Sequence, residues 1–329
     1  MTTSSGTAIH SACIPCFPDA LPLDISTQAL ISLAYKNTPP SVSDMAFSTL
    51  FGWQRYFGYR YTRVGDLVFV FFEREKTVIF LPPLLLSGML SDLGWEKSFV
   101  AAVTQLSAWA CGRGMDAEFR YFPGIYTSRL SLDRFLVTPE RDFADYIYRR
   151  SDLVALGGSD YGSKRNLIRQ FTRAYPFRYE ILTAANCDAA ARFVNEWQEK
   201  QKAENGILGF GAYCMACRLL ENLSALSLCG GLLFVNDTIV AATIGSLVPD
   251  FIYPDGKKSA TVIVHHENAL TEYKGAYQVI NQQFCAHLPE SVTCVNREED
   301  LGIPGLRKAK LSYRPFLLIE KSRILLKNS

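Results

Sequence analysis

The 329-residue sequence carries no excess of charge of either sign. Its 34 Lys+Arg stand against 32 Asp+Glu, a formal net charge of +2. That near-cancellation excludes a histone-like protein held to nucleic acid by bulk charge. It leaves room for a basic surface inside a neutral total. Long hydrophobic runs are also missing. Nothing approaches the ~20 apolar residues that cross a bilayer. Leu67–Phe72 ends at Glu73-Arg74-Glu75-Lys76, and Val78–Leu90 is interrupted by Pro82-Pro83. Met1–Ala8 is rich in Ser and Thr with no basic stretch ahead of an apolar core, so it does not read as a signal peptide. These absences lead to the expectation of a cytoplasmic protein with no transmembrane segment, free to work peripherally at the inner membrane surface.

What is present is an ordered globular mix: 48% hydrophobic, 12% aromatic and 20% charged residues, too apolar for a disordered chain. At roughly 100–200 residues per domain the length suggests about two domains. Nine cysteines, an odd number without a secretory address, favour reduced thiols over a disulfide framework. Two C-x-x-C pairs, Cys13/Cys16 and Cys214/Cys217, invite a four-thiolate zinc site. Cys214 and Cys217, however, fall in a helical pattern with Tyr213 and Leu220, where cysteine serves as a small apolar residue. Packing is the reading taken, and no metal is expected.

Residues 1–23 read as a flexible leader. A polar start at Ser41-Val42-Ser43-Asp44 precedes Met45, Phe47, Leu50 and Phe51, the pattern of a capped helix. Tyr59–Arg63, Leu67–Phe72 and Thr77–Leu81 form an antiparallel meander. Phe99, Val103, Leu106 and Ala110 share one helix face, and strands follow near Glu118–Phe122 and Tyr146–Tyr148. A basic helix, Gly162–Ala174, leads to a strand at Phe177–Leu182. Two helices, Asp188–Lys202 and Gly211–Leu223, precede a second sheet, in which Asn236-Asp237 joins Leu226–Val235 to Thr238–Leu247 as a hairpin. Ser259–His265, a helix at Gly275–Ala286, a strand at Val292–Asn296, a short helix at Ile303–Lys310 and a strand at Phe316–Glu320 complete the order. Both halves run helix, antiparallel strands, helix, strand. The expected division is 24–180 and 181–329, in an α+β fold.

Three stretches concentrate chemistry. Gly157–Gly162 has the G-x-x-x-x-G spacing of a phosphate loop. It runs into Ser163-Lys164 instead of Lys-Ser/Thr, and the preceding Ser151–Leu156 reads as helix, which excludes a nucleoside triphosphatase. In the helix that follows, Arg165, Arg169 and Arg173 recur every four residues on one face, either a solvated exterior or a contact surface for a polyanion. Second, Val264-His265-His266-Glu267 ends a strand; His265 and Glu267 share one side and His266 takes the other. An imidazole there suits proton transfer or a structural hydrogen bond. Third, Asn296–Pro315 reads N-R-E-E-D-L-G-I-P-G-L-R-K-A-K-L-S-Y-R-P. Acids precede the helix and bases fill its end, as the helix dipole favours; Arg307 and Lys310 share a face, and Pro315 biases Arg314 toward an extended backbone. Asn296–Ser329 holds eight cations and four acids, a local excess of +4.

Taken together, Gly157–Phe171, His265–Glu267, Gly275-Ala276-Tyr277 with Ile280-Asn281, and the Asn296–Pro315 motif resemble the phosphatidylglycerol lysyltransferase C-terminal domain family over roughly residues 24–325. The resemblance implies two tandem GNAT-like (acyl-CoA N-acyltransferase-like) domains, each a mostly antiparallel mixed sheet flanked by helices, with the active site in the C-terminal one. It implies transfer of an aminoacyl group from aminoacyl-tRNA to a lipid or other hydroxyl or amine acceptor, as in the related Fem-type enzymes. An activated ester needs no metal or covalent enzyme intermediate, and no cofactor is required. By its place in the motif Lys310 binds the transferred carbonyl or the terminal phosphate of tRNA, supported by Arg297, Arg307, Arg314 and Asn296. Asp300 or Glu267 holds the α-amino group, His265 takes the acceptor proton, and Lys164, Arg165 and Arg169 guide the acceptor stem. Two departures stand out. Asn268 replaces the lysine that often follows H-x-E, and no flippase portion accompanies the domain, which leaves an acceptor other than phosphatidylglycerol open. The rival readings are an acyl-CoA-dependent N-acyltransferase, which lacks a recognisable pyrophosphate loop here, and a non-catalytic module binding tRNA or anionic lipid.

Overall fold

The computed structural model of the chain describes residues 14–327, the side chains of 201–210 excepted. The first half contains β1 (Leu21–Pro22), α1 (Gln28–Ala34), α2 (Phe47–Phe57), β2 (Arg60–Val64), β3 (Leu67–Arg74), β4 (Thr77–Phe80), β5 (Leu84–Leu85), α3 (Trp95–Gly112), β6 (Asp116–Pro123), α4 (Gly124–Thr127) and β7 (Phe135–Pro139). The six apolar residues Leu67–Phe72 of β3 are all buried, the run expected of a strand covered on both faces. On α3, Phe99, Val103, Leu106 and Ala110 are fully buried, as their spacing predicts. The meander β2-β3-β4 forms as expected, closed by turns with Gly65 and Glu75 at positive φ.

The second half contains β8 (Asp145–Arg149), α5 (Arg150–Ala155), α6 (Gly162–Ala174), β9 (Phe177–Ile181), α7 (Cys187–Glu221), β10 (Leu228–Val235), β11 (Thr238–Ile252), β12 (Lys258–Ala269), α8 (Ala276–His287), β13 (Cys294–Asn296), α9 (Pro304–Leu311), β14 (Leu317–Ile319) and β15 (Lys321–Leu326). Two mixed sheets result, in the orders β1-β2-β3-β4-β6-β15-β7, with β5 on β3, and β14-β8-β13-β12-β11-β10-β9. Each contains one parallel connection between strands separated by a helix, β4 with β6 and β12 with β13. This is the expected α+β architecture of two sheets flanked by helices.

Sheet membership changes between Pro139 and Asp145, ahead of the 180/181 division drawn from element order. The last strand, β15, returns to the first sheet between β6 and β7, although only Glu320 separates it from β14 in the second. One apolar cluster runs through both halves, from Phe51 and Phe99 to Ile244, Phe251 and Ile319. One exchanged strand, β15, and a shared core join the halves.

Other local readings shift for tertiary reasons. The leader expected over 1–23 falls partly outside the described residues. From Ile14 onward it is packed: Ile14 is buried, Cys16 bridges Arg63, and β1 adds to the edge of β2. Ser43 and Asp44 do not cap α2, whose N-cap is Ala46 without a side-chain bond; they are drawn into a buried charge cluster. The helical segment α7 is continuous from 187 to 221, yet Cys187 Sγ meets the Leu220 carbonyl at 3.2 Å and Tyr213 donates to Asn195 at 2.9 Å. It therefore doubles back as a hairpin whose arms match the two expected helices. Cys214 and Cys217 are half-buried there, and burial pushes both thiols up, toward the protonated form. Cys13 lies outside the described residues. Among the described residues no helix is long and apolar enough to cross a membrane.

Candidate active site

β12 and β13 run parallel only where Thr261–Ile263 face Cys294–Asn296; then they part. β12 continues along β11 to Ala269, while the chain after Asn296 bends into a loop with Glu298, Leu301 and Gly302 at φ 53°, 54° and 72°. For non-glycine residues that conformation costs about 1 kcal/mol or more apiece and must be held from outside. Asn296 Oδ1 accepts the Glu298 N–H at 2.8 Å, and Asp300 accepts the Gly302 N–H at 2.9 Å. The fully buried Asp300 also pairs with Arg307 at 2.7 Å and Arg141 at 3.2 Å and accepts from the Tyr146 hydroxyl. Burial alone would raise this carboxyl, but hydrogen bonds from Arg307, Tyr146 and Gly302 hold it well below the usual range. Lys310 turns its ammonium inward, onto the carbonyls of Arg297 and Glu299. Burial pushes it down to about 8, with Glu299 opposing.

Two expected roles change accordingly. Lys310 is a brace for the loop and does not reach out to a transferred carbonyl. Asp300 is consumed by arginines and has no oxygen left for a substrate amino group. Asn296 and Arg307 serve the same scaffold. Arg307 pairs with Asp142 and Asp300, and the Asn296 amide donates to Asp145 at 2.7 Å.

Behind the loop lies a buried cluster of charge. Asp145 accepts from the Ser43 N–H at 2.6 Å and the Ser43 hydroxyl at 2.8 Å and pairs with Lys321 at 2.7 Å. Lys321 also contacts Asp44 and, at 3.6 Å, Glu299. Burial works against the Lys321 charge, but the three carboxylates outweigh it and raise its pKa. One cation thus faces three acids. Burial pushes Glu299 up to about 7, with Lys321 pulling against it and Asp44 and Glu298 adding to the rise. Asp44 is raised as well, again by burial against the pull of Lys321. Asp44, Glu298 and Glu299 line a cavity of about 510 Å³ between the first sheet, α2 and the loop, with Trp53, Tyr59, Tyr121 and Arg120 among its walls. Tyr121 sits there at φ 63°, a strained residue on a cavity wall.

His265 stands behind Glu298, away from the cavity. Its Nδ1 donates to Glu298 at 2.9 Å, and its Nε2 accepts from Ser246, which lies 2.6 Å from Ser48 of α2. This tautomer is the one an ionised Glu298 selects. Among the carboxylates of the cavity wall, Glu298 is the one joined to His265. Glu267 is engaged by Arg297 at 2.7 Å and the Asn281 amide at 3.1 Å, so it orients Arg297 and does not bind a substrate amine. Arg297 packs over Tyr313, and its Nη1 is buried without a partner among the described residues. Lys164 stands 4.4 Å from the centre of the same Tyr313 ring. Arg165 is bound to the carbonyls of Leu156 and Gly158, whereas Arg169 and Arg173 are exposed. Arg314 is exposed, pairs with Asp160 at 3.3 Å and adopts φ 52°, not the extended conformation expected before proline, because it closes the turn after α9. Gly275, at φ 98°, opens α8 under α6. A Cβ there would lie 2.5 Å from the Leu167 carbonyl oxygen.

The family model for the C-terminal domain of phosphatidylglycerol lysyltransferase matches residues 35–324. The chain belongs to that family. No curated protein sequence matches it. Among solved structures, a conserved protein of unknown function from Bacteroides thetaiotaomicron is 29% identical, with a TM-score of 0.79 over 94% of this chain and 99% of that one. L-PGS from Bacillus licheniformis (13% identity, TM-score 0.52, 92% of each chain) and FemX (8%, 0.53, 94% and 98%) share the fold. Family and fold make this phosphatidylglycerol lysyltransferase-like domain a GNAT-like acyltransferase. The residues not foreseen from sequence are Asp44, Asp145, Glu299 and Lys321, where Lys321 lies 277, 176 and 22 positions from the three acids. The single local signal was the pair Glu298-Glu299 inside the motif.

Proposed function

We propose that the protein moves an aminoacyl group from aminoacyl-tRNA to a hydroxyl or amine of a lipid or similar acceptor. The observation that carries this is the cavity lining, where five acids, Asp44, Glu75, Glu118, Glu298 and Glu299, outnumber Arg74 and Arg120, with Lys321 buried behind Asp44 and Glu299. An anionic, aromatic-lined recess suits the ammonium of an aminoacyl ester and has no evident use for a neutral acetyl group. Glu298, backed by His265, accepts the acceptor's O–H or N–H proton as that atom attacks the ester carbonyl. The tetrahedral oxyanion then collapses, and the proton passes to the departing 3′-oxygen of the tRNA. Arg297, aligned by Glu267 and packed over Tyr313, lies outside the cavity lining and supports the loop from behind. Arg169, Arg173 and Lys164 provide the cationic approach for the acceptor stem.

An acyl-CoA donor is less well served. Its pyrophosphate would need open N–H groups at a helix start after a strand, and the start of α8 is covered by α6. A pure binding module gives no use to the Ser48–Ser246–His265–Glu298 chain of hydrogen bonds. With tRNA as donor, the reaction belongs on the cytoplasmic side of a membrane. The test is label transfer from charged total tRNA, and separately from acetyl-CoA, to lipid and soluble amine acceptors. Glu298→Gln should lower turnover by about 10²–10⁴ while leaving the fold intact. Transfer from acetyl-CoA alone would refute the donor assignment.

A further inference from the structure

Four large apolar side chains are exposed within one stretch, Leu301–Phe316: Leu301, Ile303 (46%), Leu311 (42%) and Phe316 (41%). The same stretch contains no acid, and of its four cations Lys308 is exposed and unpaired among the described residues, while Arg307 and Arg314 are in ion pairs and Lys310 is buried. Scattered exposed leucines are ordinary, but apolar groups gathered with cations mark an interaction surface. All four lie along one short piece of backbone. α9 starts beside Leu301, which lines the cavity mouth, and ends at Leu311 about 12 Å further on at 1.5 Å per residue. A tight turn, with Arg314 N–H on the Leu311 carbonyl at 3.0 Å, then delivers Phe316. Phe316 forms one wall of a second hollow, about 440 Å³, with Tyr253, Pro254, Cys294 and Leu317, rimmed by Lys257 and Lys258. The Arg149 guanidinium lies 5.0 Å from the Phe316 ring centre.

Charge decides the partner. Lys308 and Lys258 are exposed and have no acidic partner among the described residues. Three neighbouring acids are already matched: Asp142 by Arg307, Asp160 by Arg314, Asp255 by Lys257. A surface of exposed Ile, Leu and Phe interleaved with unpaired Lys is complementary to an anionic bilayer, where apolar groups enter the headgroup boundary and ammonium groups meet phosphates. Nucleic acid would use the cations and leave the aliphatic side chains without a role.

We infer that α9 and its flanks, from Leu301 to Phe316, lie on an anionic membrane and hold the cavity mouth against lipid headgroups. The inference rests on the acceptor reading above, because a bilayer-facing mouth is what a lipid acceptor needs. It names the surface that reading leaves open.

Vesicle sedimentation tests it without any donor. The intact protein should pellet with phosphatidylcholine vesicles containing phosphatidylglycerol, and equally with phosphatidylserine, less so as salt rises, and little with phosphatidylcholine alone. Lys308→Glu, a two-charge reversal, should weaken binding by roughly 30-fold at about fivefold per charge. Leu311→Glu with Phe316→Glu should lose it. Leu311→Ser with Phe316→Ser, checked by circular dichroism for an unchanged fold, should bind at least about tenfold more weakly. Variants that bind as the wild type does, or wild-type binding to neutral vesicles as strong as to anionic ones, would overturn the inference. So would a Lys308→Glu protein that loses tRNA but keeps vesicles. Transfer to a water-soluble acceptor should survive Leu311→Ser/Phe316→Ser. Failure of the wild type to transfer any aminoacyl group, with vesicle binding intact, would count against the proposed reaction alone.

Discussion

Replacing Glu299 with Gln should stabilise the protein at pH 8 and leave its stability unchanged at pH 4.5. The carboxyl sits at the edge of the Lys321 cluster, and burial raises it from 4.5 to about 7. Between those values the folded chain binds a proton that the unfolded chain has released, so the wild type loses stability as pH rises through that window. The displacement converts to about 3 kcal/mol at ~1.4 kcal/mol per pH unit. With 23% of the side chain open to solvent, screening reduces this to about 2 kcal/mol. Glutamine keeps the shape and carries no charge at any pH. The two proteins should therefore coincide at pH 4.5 and diverge by about 2 kcal/mol, in favour of Glu299→Gln, by pH 8. His266 titrates alike in both and cancels in the difference, whereas Asp44 loses a repulsive neighbour in the variant, which adds to its stability at pH 8. Urea unfolding followed by tryptophan fluorescence at half-unit pH steps measures it. A variant no more stable than the wild type at pH 8 would refute the reasoning, because Glu299 would then gain more from Lys321 than it loses by burial. The same variant should bind charged tRNA less well, the stability cost of an acid retained for function.

Other expectations follow from the same geometry. Lys321→Met leaves Asp44, Asp145 and Glu299 without their cation and should cost about 3–5 kcal/mol, read by urea midpoint at pH 7.5. Lys310→Met strips two carbonyls of their charged donor and should cost about 2–4 kcal/mol while lowering turnover; a kinetic defect with wild-type stability would restore Lys310 as a direct substrate contact. His266, which burial pushes down to about 4, binds its proton in the unfolded chain first. His266→Gln should therefore flatten a rise in stability between pH 4 and 6.5. Gly275→Ala should destabilise by more than about 2 kcal/mol, because the left-handed backbone and the Leu167 carbonyl both oppose a methyl group.

Sequence by itself determined the elements and the family. Apolar periodicity located β3, α3 and α6, Asn236-Asp237 placed the β10–β11 hairpin, and the Asn296–Pro315 motif identified the loop that organises the site. These are legible because they depend on neighbours within about one helical turn or one hairpin. Tertiary structure decided what the motif residues do. Lys310 and Asp300 look like substrate ligands in the sequence and fold inward as braces, since a loop with two non-glycine residues at positive φ has to be held. Ser43-Asp44 looks like a helix cap and becomes part of a charge cluster, because Lys321 arrives from a strand that the linear order assigns to the other half. The placement of β15 between β6 and β7 depends on pairing across about two hundred residues, for which no local pattern exists. That exchange brings one lysine among three acids, and with it the cavity on which the proposed chemistry rests.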